Sequence, residues 1–97
     1  MINISSHYPT RLGSAIFFLR MIRTLADLPT GGHGTLVGLD LPDQDAARLM
    51  ALGFIPGVRV SRARSAPGGD PMVFRVDGAE IALRRETARR MTLRGEP

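Results

Sequence analysis

The chain has 97 residues, 43% of them hydrophobic and 23% charged, with no cysteine and a formal net charge of +4. That length holds one small domain with a modest core, and the composition is that of a folded, soluble chain rather than a disordered one. The lack of cysteine excludes disulfides, thiolate metal sites and thiol nucleophiles, and fits a reducing cytosol. Every basic residue is an arginine, a skew that a GC-rich genome produces as readily as a selected nucleic-acid surface.

The N-terminal segment differs from the rest. Its apolar run, Ala15-Ile16-Phe17-Phe18-Leu19, is far shorter than the roughly 20 residues that span a bilayer, so no membrane insertion is expected. Arg20 and Arg23 stand where a signal peptide would need small residues. Residues 1–20 therefore read as a loosely ordered extension or a mis-assigned start, and Met21 as the start of the domain, which runs over 21–94.

After the glycine-rich turn at 29–34, residues 35–41 alternate as a half-buried strand, with Val37, Leu39 and Leu41 on one side and Leu36, Gly38 and Asp40 on the other. The glycines lack the spacing, the lysine and the preceding strand of a phosphate-binding loop, and form a plain turn. A short helix follows. Asp43 is placed to cap it and Asp45 to complement its dipole, while Ala46, Leu49 and Met50 form one apolar stripe. Gly53 stands where a left-handed residue closes the last turn, and Phe54 is expected to fold back onto Leu49. Pro56 and Gly57 then turn the chain into a strand over 58–64.

Asp77-Gly78 is the favoured pair for a type I′ hairpin. A two-residue loop sets Val76 opposite Ala79, Arg75 opposite Glu80, Phe74 opposite Ile81 and Met72 opposite Leu83. Met72, Phe74, Val76, Ala79, Ile81 and Leu83 then share the core face, and Arg75 meets Glu80 on the other. Residues 85–91 form about one helical turn, Thr92-Leu93 a short closing strand, and 94–97 a frayed tail. The whole is mostly β: a small barrel or curled sheet with one inserted α-helix and a short C-terminal helical turn.

These residues carry a resemblance. Thr24-Leu25-Ala26-Asp27-Leu28, Gly31 and Gly34, the run Arg48-Leu49-Met50-Ala51-Leu52-Gly53-Phe54-Ile55-Pro56-Gly57, Asp70-Pro71, and Ala82-Leu83-Arg84-Arg85-Glu86-Thr87-Ala88 resemble the FeoA (ferrous iron transport protein A) family. The resemblance implies an SH3-like β-barrel in the cytoplasm. It also implies a non-enzymatic accessory that binds FeoB, the membrane ferrous iron transporter, with weak transition metal ion binding as a further expectation; the open edges of a small barrel leave the oligomeric state undetermined, self-association included.

The chain shows no chemistry of its own. His7 and His33 have no second ligand at helical spacing, so no metal-ligand residues and no cofactor are expected. Asp70 and Asp77 read as turn formers, and Ser61 and Ser65 have no base beside them, so no catalytic residue is assigned. Leu52, Phe54 and Ile55 beside the helix end either seal the barrel or meet a partner. Arg84, Arg85, Arg89 and Arg90 make a cationic stripe, either solvated or steering an acidic partner. The alternative function is a small basic barrel that binds nucleic acid. It ranks second because surface aromatics, lysines and a reading helix are all missing.

Overall fold

The alternation around Asp77-Gly78 folds as the turn chemistry requires. Asp77 and Gly78 have φ of 49° and 81°, and they join β3 (Met72–Val76) to β4 (Ala79–Leu83). The register is the expected one, with Val76 opposite Ala79, Arg75 opposite Glu80, Phe74 opposite Ile81 and Met72 opposite Leu83. Met72, Phe74, Val76 and Leu83 are buried and Ile81 packs against them. Ala79 is exposed, contrary to expectation, because it flanks the turn on an outermost strand that is paired on one side only.

The computed structural model describes residues 23–95; the expected 1–20 extension and His7 lie outside them. A 3-10 turn over Leu25–Asp27 comes first. Then follow β1 (His33–Leu39), helix α1 (Asp43–Ala51), β2 (Arg59–Ser65), a second 3-10 turn (Pro67–Gly69), the hairpin, helix α2 (Arg85–Ala88) and β5 (Met91–Gly95). One antiparallel sheet runs β4-β3-β2-β1-β5. It curls about a single core whose largest fully buried side chains include Phe54, Phe74, Leu25 and Leu28. The helix insertion between β1 and β2 is as expected.

Strict alternation fails in β1. The register against β5 shifts between Leu36 and Gly38, which leaves Val37 as the extra residue of a bulge. Leu36 therefore points inward and Val37 outward, while Leu39 and Leu41 return to pack on the core. The strand also starts earlier than expected, so that His33 lies in β1 opposite Ser61 rather than in the turn. β5 is longer than two residues because Met91, Leu93 and Gly95 alternate inward with exposed Thr92 and Arg94. Gly34 makes this pairing close: a Cβ there would lie 2.7 Å from the Arg94 carbonyl oxygen.

Helix α1 ends as its sequence predicts. Gly53, at φ 115°, donates its N–H to the Met50 carbonyl at 3.0 Å, and Phe54 N–H reaches the Leu49 carbonyl at 3.1 Å. This is the Schellman pattern. Phe54 and Leu49 join the same core. The helix start differs: Pro42 is the cap residue and no side chain caps the helix, so Asp43 and Asp45 act only as first-turn charges. Met50 also leaves the expected stripe. Leu49 is the buried residue of the helix, and Met50, about 100° further round, is exposed.

Candidate functional site

The Schellman end divides the three apolar residues that the sequence grouped together. Phe54 is fully buried, whereas Leu52 and Ile55 are 50% and 51% exposed. Leu52 is the C-cap residue, turned away from the core as the chain reverses at Gly53. The segment holding Ile55 is fixed at both ends. Val58 N–H donates to the Ile55 carbonyl at 2.9 Å, and Gly57 N–H donates to the Leu36 carbonyl of β1 at 2.7 Å. Leu52 and Ile55 are thus held out by backbone geometry. Among the described residues, Met50 and Val37 are the other large apolar residues exposed, Met50 on the same helix end and Val37 next to the Leu36 anchor.

The arginines do not form one stripe, because α2 spans only Arg85–Ala88. Arg84 precedes it and Arg89 follows it, both exposed, as is Arg90. Arg85 is half-buried and anchored: its backbone N–H donates to Asp70 Oδ1 at 3.0 Å, and its guanidinium donates to the Gly69 carbonyl at 3.1 Å. Asp70 is therefore more than a turn former, since it caps α2 from the far side of the hairpin. An open groove of about 320 Å³ lies between α1 and the end of β4, lined by Leu41, Leu49 and Leu83 with Arg48 and Arg84 at its margin.

The partners of two arginines, Arg62 and Arg64, were not legible in the sequence. Arg62 lies half-buried on β2, donating to the Leu28 carbonyl at 2.6 Å and to Ser65 Oγ, while its Nε is buried without a partner. Burial lowers the pKa of its guanidinium, and the charge of Arg85 lowers it further. Arg62 thus ties the segment after the first 3-10 turn to the sheet. Glu80 accepts from Arg75 at 2.6 Å and from Arg64 at 2.7 Å. These two hydrogen bonds, Arg75's first, hold its carboxyl below the ordinary glutamate range. The Arg75–Glu80 pair was legible from the register, but Arg64 was not.

Among the described residues no group of three His, Cys, Asp or Glu side chains could hold a metal ion. No helix among the described residues is long and apolar enough to cross a membrane.

A five-stranded antiparallel sheet curled on one core, with a helix between its first two strands and its exposed groups on turns and strand edges, defines a small SH3-like domain. The chain belongs to the FeoA domain family, whose model matches residues 23–94. The solution structure of FeoA from Chlorobium tepidum is similar over 76% of this chain and 70% of that one, at 27% identity and a TM-score of 0.73. Iron(II) transport protein A from Clostridium thermocellum is 26% identical over 74% of this chain and 44% of that one, with a TM-score of 0.70. Stenotrophomonas maltophilia FeoA, crystallised with zinc and described as a procaryotic SH3 domain protein, is 34% identical. It matches 72% of this chain and 87% of that one, with a TM-score of 0.63. No curated protein matches the chain. Membership of the family implies a role in ferrous iron transport.

Proposed function

We propose that this domain is a non-enzymatic, cytoplasmic accessory of ferrous iron uptake that docks on the FeoB-like membrane transporter. The observation that carries the reading is the pair Leu52 and Ile55, half-exposed on a turn in which every backbone N–H from Leu52 to Gly57 is hydrogen-bonded. Apolar groups held rigidly outward lose little conformational freedom on binding, which is what a docking anchor needs. Arg84 and Arg89, both exposed, would raise the encounter rate with an acidic cytosolic surface. Phe54 and Arg85 support the surface from inside, the first in the core and the second by its bonds to Asp70 and Gly69.

The test is capture of detergent-solubilised transporter by the immobilised domain. Leu52→Asp with Ile55→Asp should abolish capture while leaving the fold intact, and Arg84→Glu with Arg89→Glu should weaken it at low salt. Full capture by the folded Asp variant would sink the proposal. Salt-sensitive retention of nucleic acid with no transporter bound would favour the basic-barrel alternative.

A further inference from the structure

Strand β4 lies at one end of the sheet order, and its hydrogen-bonding directions follow from the hairpin. The pair flanking a two-residue loop, Val76 and Ala79, exchanges backbone hydrogen bonds, and such pairs alternate along the ladder. Ile81 and Leu83 therefore also bond inward to β3, opposite Phe74 and Met72. Glu80 and Ala82 direct their N–H and C=O groups away from the sheet. Both residues are exposed, and among the described residues β4 pairs only with β3. Such an edge is a template for another strand.

The side chains say which strand. Glu80, Ala82 and Arg84 alternate on the outer face, with the Glu80 carboxylate, which also holds Arg75 and Arg64 of its own chain, on one side of a small residue and the Arg84 guanidinium on the other. Two copies of this strand, antiparallel and related by a two-fold axis at Ala82, set each Glu80 opposite Arg84 of the partner subunit. Centring on Glu80 or on Arg84 would set like charges opposite each other, and centring on Ile81 leaves Arg84 without a counter-charge. Opposite charges directly across a strand pair are favourable and like charges are not. The same register brings Ile81 of the partner subunit opposite Leu83, beside the groove floored by Leu41 and Leu49.

We propose that β4 is a self-association edge. Two copies of this chain pair antiparallel about Ala82 and continue the sheet from one molecule into the other. Ala82 exchanges both backbone hydrogen bonds with Ala82 of the partner subunit. The Arg84 N–H donates to the carbonyl of Glu80 of the partner subunit, while the Arg84 carbonyl stays with the Ala88 N–H at 3.0 Å. The interface is short, so the dimer is weak and reversible.

The absence of cysteine in the chain gives a direct test on the full chain. Cα atoms of a hydrogen-bonded antiparallel pair lie about 5.5 Å apart, within disulfide range. Ala82→Cys should therefore cross-link to a dimer on mild oxidation at least tenfold faster than Ala79→Cys, which is exposed on the same strand. In sedimentation runs the wild-type mass should rise with concentration. Ala82→Pro, which removes the outward N–H, and Arg84→Glu, which sets two acids opposite, should hold it at the monomer. If the proline variant fails to fold, the Arg84 variant carries the test. Equal cross-linking of the two cysteine variants, undiminished dimerisation of Arg84→Glu, or a wild-type mass that stays monomeric would each overturn the proposal. A monomer whose Ala82 amide is protected from exchange only when transporter is added would assign the edge to that partner instead.

Discussion

Gly34 is where the sheet is most sensitive to a single methyl group. A Cβ built there lies 2.7 Å from the Arg94 carbonyl oxygen and 2.9 Å from both Cγ and Cδ2 of Leu93. The first contact is with backbone, which cannot rotate away, so Gly34→Ala must push β5 off β1. Overpacking of this kind costs about 1–3 kcal/mol. For a domain of this size it lowers Tm by roughly 4–8 °C per kcal/mol. Gly38 is the control, because it lies on the same strand with nothing within 4 Å of its Cβ direction. Gly38→Ala should raise stability by about 0.4–1 kcal/mol, through the lower entropy of the unfolded chain. Thermal and urea unfolding of the two variants decide the matter. A Gly34→Ala protein as stable as Gly38→Ala would mean that β5 does not approach β1 as described.

Phe54→Ala should cost about 3–5 kcal/mol in urea unfolding, while Leu52→Ala stays within about 0.5 kcal/mol; similar losses at both would contradict the split between buried and exposed residues. Asp70→Ala removes the acceptor of the first α2 amide and should cost about 0.5–2 kcal/mol. Hydrogen exchange at the Arg85 amide should accelerate in that variant, and an unchanged rate would exclude the cap. The carboxyl of Glu80 should titrate by NMR below the ordinary glutamate range and move up toward it in Arg75→Ala. Because its pKa is depressed in the folded state, its stabilising contribution is complete above the unfolded pKa and is lost as pH falls through the folded one. High salt should shrink the effect, and a Glu80 titration that Arg75→Ala leaves unmoved would show that the pair does not form in solution.

What the sequence disclosed is what short-range chemistry determines. Asp77-Gly78 dictates a turn type, the turn dictates register, and the register places Arg75 against Glu80 without further information. Gly53 likewise announces the helix end and the inward path of Phe54. Strict alternation separates the sides of β1 wrongly, because a bulge at Val37 is a property of the β1–β5 pair, and neither strand carries it alone. The inward lean of Arg62 and the cap from Asp70 to Arg85 were hidden for the same reason, since each joins segments far apart in sequence. Two signals were present but unused: Thr24 and Asp27 have the spacing of a capping box, and the Asp27 carboxylate accepts the Thr24 N–H at 2.9 Å. Alternation of Met91, Leu93 and Gly95 likewise marks β5 to its end. For the docking surface, the helix-end motif separates Phe54 from Leu52 and Ile55, but the apolar run alone does not.

The bond from Asp70 to Arg85 joins residues 15 positions apart on either side of the hairpin, whereas Leu36 meets Leu93 only across most of the domain. Closing a short loop forfeits less chain entropy than closing a long one, so the order of events in folding follows from this contrast. The hairpin and its clasp are expected to assemble in the transition state, with Ile81→Val slowing folding, and Leu93→Ala acting mainly by speeding unfolding. The seam where β5 closes on β1 is then the last part of the molecule to form and the first to open.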